Sequence, residues 1–218
     1  MNDTGNGRGS MAHPITIDEL AERLVAGADR ARQIVALAGP PGAGKTTTAA
    51  RLEERIDALA PGVAATLAMD GYHYDDRVLV PRGLRPRKGA PETFDVAGFA
   101  HMLRRLRADD EDEVAIPVFD RDIEIARAGA RIIPRTARII ITEGNYLLLD
   151  REPWRSLSFD ATAMIAPDRE VLRQRLVDRW THYKLTPEEM VAKIDGNDMP
   201  NVDLVLSQSR PADYTIRT

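Results

Sequence analysis

Residues Gly39 to Thr46 read Gly-Pro-Pro-Gly-Ala-Gly-Lys-Thr and fill every fixed position of GxxxxGK(S/T), the loop whose backbone amides cradle phosphate. The chemistry this spacing supports is nucleoside triphosphate binding. Gly39, Pro40, Pro41, Gly42, Ala43 and Gly44 would form the cradle, with Thr47 also at the nucleotide. Lys45 can reach the β- and γ-phosphates, and the Thr46 hydroxyl can ligate Mg²⁺. Two carboxylates further along stand just after or at the end of apolar runs. Asp70 could accept a proton from an attacking hydroxyl, or cap a helix, since Asp is favoured in either place. Glu143 could complete the Mg²⁺ site or its water shell, or cap a strand end. Arg173, Arg175 and Arg179 are spaced along one helical segment, with Arg175 and Arg179 four apart on one face. They could clamp a transferring phosphoryl group or form a solvated face. Arg77, Arg82, Arg85, Arg87 and Lys88 make a basic flap, suited to an anionic acceptor or to water. His73, His101 and His182 lack metal-ligand spacing. Asn197, Asp198 and Asn201 could touch a nucleotide base or cap a helix.

The elements that must position these residues can be read from periodicity. Gln33 to Ala38 is an apolar strand that leads into the glycine loop. Lys45 to Leu59 then reads as a helix with Leu52, Ile56 and Leu59 at helical spacing. Thr16-Ile17-Asp18-Glu19 is a capping box and predicts a helix to about Ala31. Strands are expected at Val63–Met69, Val114–Ile116, Arg138–Thr142, Ala161–Ile165 and Tyr214–Ile216. A short helix is expected near Asp75–Val80, an amphipathic one at Val96–Arg107, and others at Arg169–His182, with a Leu172, Leu176, Trp180 core stripe, and Thr186–Ile194. The acidic run Asp109–Glu113 reads as a solvated turn. Alternating strands and helices imply an α/β, doubly wound, mainly parallel sheet flanked by helices.

Composition narrows the class further. The chain has 218 residues, 43% hydrophobic and 29% charged, which suits one domain over residues 15–218. A net charge of −4 gives no bulk attraction to nucleic acid. There is no cysteine, so disulfides and thiolate chemistry are excluded. No apolar run approaches the ~18 residues of a membrane helix. Met1 to Ser10 is polar and glycine-rich, without the apolar core of a signal peptide. Residues 1–14 therefore read as a disordered tail, and a cytoplasmic location is expected. A homodimer is compatible with the composition.

Taken together, these residues resemble the small-molecule kinases typified by uridine kinase, phosphoribulokinase and bacterial type I pantothenate kinase. The resemblance runs from about Ile34 to Asp213. It is carried by Gly39–Thr46, Met69-Asp70-Gly71-Tyr72, Arg82-Gly83-Leu84 and the run Arg87 to Asp95. Pro117-Val118-Phe119-Asp120, Glu143 to Leu148 and the Arg175, Arg179 pair complete it. The runs MDGYHYD, RKGAPETFD, EGNYLLLD and GNDMPN resemble a bacterial group assigned as kinases of a fructose transport system. The resemblance implies a P-loop NTPase-type fold with a small helical lid over about residues 168–195, and ATP with Mg²⁺. It implies Asp70 as general base, Glu143 near Mg²⁺, and Arg175 and Arg179 as lid arginines near ATP. It places Tyr72, Asp95, Phe119, Asp120 and Arg121 around the acceptor, and Asn201 and the Ser209-Arg210 segment near adenine.

Two departures bear on the acceptor. Uridine kinases carry a Phe-Asp pair where this chain has Lys88-Gly89, and pantothenate kinase carries a His where Arg121 stands. The expected activity is thus transfer of phosphate from ATP to a hydroxyl of a small metabolite, a sugar or sugar-like polyol. A nucleoside or pantothenate kinase is the alternative within the class. A regulatory P-loop NTPase, or a binding-only sensor, is the alternative outside it. The chain lacks an Asn-Lys-x-Asp guanine motif and a Leu-Ser-Gly-Gly-Gln run.

Overall fold

A computed structural model describes residues 12–29 and 31–217. The centre is strand β2 (Gln33–Ala38), flanked by β6 (Ile139–Gly144) on one side and β7 (Ala161–Met164) on the other. Further strands are β1 (His13–Ile15), β3 (Ala64–Ala68) and β8 (Tyr214–Ile216). The six-stranded sheet runs β1-β8-β7-β2-β6-β3, and every pairing in it is parallel. Parallel strands are buried on both faces, so they read as unbroken apolar runs. In β2, Ile34, Ala36 and Ala38 pack into one core and Val35 and Leu37 into the other. Ile140 of β6 faces the first core, and Ile139 and Ile141 the second.

Helices cover both faces. Leu20, Ala21 and Leu24 of α1 (Ile17–Val25), Leu52 and Ile56 of α2 (Lys45–Leu59), and Leu172 and Leu176 of a later helix (Arg169–His182) fill one core. Phe99, Leu103 and Leu106 of a helix over Val96–Ala108 fill the other. In chain order that helix is α4, preceded by the short α3 (Asp76–Leu79), and Arg169–His182 is α5. Two more follow, α6 (Pro187–Lys193) and α7 (Met199–Gln208), joined by a π-helical turn over Ile194–Asp198. A separate antiparallel ribbon is formed by β4 (Glu113–Asp120) and β5 (Ile125–Pro134).

Several sequence expectations need correction. His13 and Pro14 are not tail: they pair in β1 with Tyr214 and Thr215. The rest of the expected tail, residues 1–11, lies outside the described residues. The capping box on Thr16 and Glu19 forms, but α1 ends at Val25 rather than near Ala31, with Ala26 as its C-cap and Gly27 beyond. Leu59 is half exposed, so the α2 stripe stops at Ile56. Val114–Ile116 is only part of an eight-residue strand, and its partner β5 carries no apolar period because most of its side chains face solvent. Asp109 is no solvated turn: in a left-handed conformation (φ 54) it pairs with the buried Arg32 at 3.0 Å and with Arg138. Arg32 also donates to the carbonyls of Leu106, Pro134, Arg135 and Ala137, tying α4, the end of the ribbon and the entry to β2 together. Helix α7 has no counterpart in the sequence reading, and Asn197, Asp198 and Asn201 lie in the π-turn and α7.

Candidate active site

Strand order decides what can meet. β6 lies between β2 and β3, with Leu37 and Ala68 both in register with Glu143. The carboxyl ends of these three adjacent strands therefore open side by side, where ligands of open α/β sheets bind. From β2 come the glycine loop, Lys45 and Thr46. From β6 come Glu143 and Asn145. From β3 comes Asp70, in the 3₁₀ turn Met69–Tyr72. All of them line one cleft of about 310 Å³.

The loop's geometry fits a triphosphate. Gly44 (φ 87) turns the chain into α2, a conformation costly for other residues, and the α2 N-terminus has no side-chain cap. Its first-turn N–H groups and the helix dipole are thus left for an anion. A side chain at Gly39 would collide with the Ile165 carbonyl. Lys45 is buried, and its Nζ donates to the Pro40 carbonyl at 3.0 Å and to Asn145 Oδ1 at 2.6 Å. Burial pushes its ammonium down to about 8, against the opposing pull of Glu143 and Asp70. Arg175 of α5 donates to the Gly42 and Ala43 carbonyls at 3.4 and 3.3 Å, so α5 crosses over the loop.

A metal could be held beside it. The Thr46 hydroxyl donates to Glu143 Oε1 at 3.1 Å, which sets two hard oxygen donors together at the cleft wall. Such a set suits Mg²⁺, which keeps several waters and takes its remaining ligands from substrate phosphates. Among the described residues no group of three or more His, Cys, Asp or Glu is placed to hold a metal ion by itself. Glu143 is buried, and burial, aided by the nearby Asp70 charge, raises its carboxyl above the ordinary range.

Asp70 is not a helix cap. Its side chain makes no capping bond, and its Oδ2 instead accepts from Arg121 Nη2 at 2.5 Å. Burial works to raise this carboxyl, but the positive charges of His73, Arg121 and Lys45 together hold it below the ordinary carboxylate range. His73 is held below the ordinary imidazole range: burial lowers it by more than the Asp70 charge and the bond to the Asp70 carbonyl raise it, and its ring leans on Phe94 and Phe119 with Nδ1 2.8 Å from that carbonyl oxygen.

The structure gathers Pro41, Gly42, Gly44, Lys45, Thr46, Thr47, Asp70, Phe119, Arg121, Glu143, Arg175, Arg179 and Asn201 around the cleft. Seven expected residues do not line it: Gly39, Pro40 and Ala43 of the loop, and Tyr72, Asp95, Asp120 and Arg210. Tyr72 packs into the core, edge-on to Phe99, with its hydroxyl unpartnered. Asp95 caps α4, accepting from the Gly98 N–H at 2.9 Å. Asp120 faces along the ribbon to Arg127 at 2.8 Å. Arg210 donates to the Leu157 carbonyl at 2.7 Å. Arg173 also turns away, to Asp195 at 2.5 Å. Trp180 is only partly buried; it lines the cleft and donates its Nε1 to Asp198 Oδ2 at 2.6 Å. Sequence reasoning gave no role to Asn145, although it follows Glu143 by two positions. It also passed over His73 as isolated, yet the ring stands in the cleft wall.

Comparison with known proteins now adds identity. No protein-family model matches the chain. An Escherichia coli K12 protein, "Uncharacterized protein YggC", is 39% identical over 189 residues, 85% of this chain and 77% of that one. The Schizosaccharomyces pombe "Putative uridine kinase C227.14" is 33% identical over 183 residues, 80% of this chain and 78% of the relative. The chain belongs to the P-loop small-molecule kinases of the uridine kinase and pantothenate kinase group. A crystal structure of a "putative fructose transport system kinase" from Silicibacter sp. TM1040 superimposes on this kinase with a TM-score of 0.84. It is 39% identical and covers 92% of this chain and 98% of its own. The kinase is thus an ATP-using phosphotransferase with a small-molecule substrate. None of its described helices is long and apolar enough to cross a membrane.

Proposed function

We propose that this kinase transfers the γ-phosphoryl group of ATP to a hydroxyl of a sugar or sugar-like polyol. The observation that carries the reading is the meeting of Asp70 with Lys45, Thr46 and Glu143 in one cleft. A P-loop protein that only switches or senses has no need of a half-buried carboxylate in the same cleft as the lysine. In this reading Asp70 orients the acceptor hydroxyl and takes its proton. Lys45, Arg175 and Arg179 offset the charge spread over the phosphoryl oxygens in flight, and positioning does most of the remaining work. Thr46 and Glu143 would hold Mg²⁺, whose contribution when bound is to neutralise charge on the phosphates. Helices α5 and α6 would act as the lid that excludes water, since Arg175 already touches the loop. Phe119, Phe94 and His73 give the cleft an aromatic wall against which the apolar face of a sugar ring can lie.

The test is ATP consumption with Mg²⁺ against sugars, polyols, nucleosides and pantothenate, with the product read by phosphorus NMR. A steep rise with a sugar or polyol and a new phosphate-ester signal is the expected result. Turnover confined to nucleosides would assign the nucleoside alternative. ATP hydrolysis indifferent to every metabolite would favour a regulatory NTPase.

A further inference from the structure

The guanidinium of Arg121 has five N–H donors and one protein acceptor, Asp70 Oδ2 at 2.5 Å. Arg121 stands at the tip of the β4–β5 ribbon and is 41% exposed at its side chain, so it can swing. Its charged end lies 5.8 Å from the centre of the Phe119 ring. The ammonium of Lys88, almost fully buried, lies 5.7 Å from the same ring centre. Lys88 donates to Asp76 at 2.8 Å and to the Glu124 carbonyl at 2.6 Å, which fixes it on the flap side of the cleft. Two cations thus bracket one aromatic ring beside the carboxylate that would be the base.

That arrangement conflicts with a neutral acceptor. If Asp70 is to take a proton, as the proposed function requires, its pairing with Arg121 has to loosen. A carboxylate held by a guanidinium gives up a charge-assisted bond when it is protonated. A neutral sugar offers Arg121 only hydroxyl oxygens in exchange, which do not replace the lost charge-assisted bond. A carboxylate or phosphate on the acceptor offers an equivalent, bidentate-capable partner. Arg121 then moves from enzyme anion to substrate anion, and Asp70 Oδ2 is left for the hydroxyl.

We propose that the acceptor is an anionic polyol, a sugar acid or a sugar phosphate, whose oxyanion is bound by Arg121 with Lys88 as the second cation. This rests on the kinase reading above and narrows it. The balance is that of simple phosphoryl transfer: the acceptor oxygen bonds to the γ-phosphorus, the bond to the β-bridging oxygen breaks, ADP leaves, and the hydroxyl proton goes to Asp70.

The experiment uses the full chain with ATP and Mg²⁺ and a panel matched by carbon skeleton. Neutral members are glycerol, glucose and fructose; carboxylate members are glycerate and gluconate; phosphate members are the hexose monophosphates. The expected result is kcat/KM at least ~10²-fold higher for an anionic member than for its neutral counterpart. Whether the carboxylate or the phosphate series responds identifies the source of the oxyanion. Arg121→Gln should erase that preference, costing ~10²-fold more on the anionic acceptor than on its neutral counterpart. Arg121→Lys should keep part of it. Calorimetric binding of the anionic acceptor beside a non-hydrolysable ATP analogue should weaken in parallel. Neutral acceptors that match the anionic ones would overturn the proposal. So would an Arg121→Gln loss equal on both classes, which would give Arg121 to the phosphates of ATP. No turnover with any compound would bring down the kinase reading itself, and this proposal with it.

Discussion

Lys45 Nζ sits 2.6 Å from Asn145 Oδ1, joining the glycine loop after β2 to the first residue past β6. The amide holds the lysine at the cleft wall, ready to exchange its side-chain partner for a phosphate oxygen. Lys45→Ala should cut turnover by roughly 10²-fold or more, the scale for loss of one preorganised donor to developing charge. The fold should survive, because the amino group points at the cleft. Circular dichroism and steady-state kinetics check both halves; near-normal kcat in a folded variant would remove the loop from the mechanism.

The same lysine predicts a pH dependence. Burial brings its ammonium down to about 8 in the free protein. Bound phosphate favours the charged form, so the value must rise in the complex. ATP binding should therefore weaken as pH climbs past about 8 and should take up a proton there. Calorimetry in buffers of different ionisation heat measures that proton. Binding at alkaline pH with no proton uptake would refute it.

Asp70→Asn keeps size and much of the hydrogen bonding but cannot accept a proton at neutral pH. ATP affinity should persist, and kcat with saturating acceptor should drop by roughly 10²- to 10⁴-fold. Because Asp70 caps no helix in the structure, the loss cannot be assigned to a broken cap. A variant with near wild-type kcat would sink the base assignment.

Asp95 tests the opposite outcome. It caps α4 and stands outside the cleft, so Asp95→Ala should lower stability by about 0.5–2 kcal/mol and leave the acceptor KM unchanged. Denaturant unfolding beside kinetics separates the two. A selective rise in acceptor KM would return Asp95 to the site.

Arg32→Ala removes a buried cation that serves four carbonyls and Asp109. The carbonyls lose their donor while Asp109 keeps Arg138, which should cost about 1–3 kcal/mol. Urea titration reads this directly; a change under about 1 kcal/mol would mean that the network is not a structural tie.

Much of this kinase is local and so could be read along the chain. The glycine loop is eight consecutive residues, the capping box at Thr16 is four, and apolar runs such as Ile34–Ala38 and Ile139–Thr142 announce buried parallel strands. Asp70 and Glu143 were legible as cleft candidates for the same reason: a carboxylate just after or at the end of a buried strand has few places to go. The family likeness is also a matter of ordered motifs. What tertiary structure alone decided is partner choice. Asp120 and Arg121 are neighbours in sequence, yet one pairs along its own ribbon with Arg127 and the other crosses 51 positions to Asp70. Tyr72 and His73 are also neighbours, yet one fills the core and the other the cleft. Exposed β5 and polar-flanked α7 left no apolar period, because backbone pairing holds the first and contacts from both cores hold the second. Side-chain direction and long-range charge pairing depend on which strands become neighbours, and the order β2-β6-β3 is settled only when the whole sheet has formed.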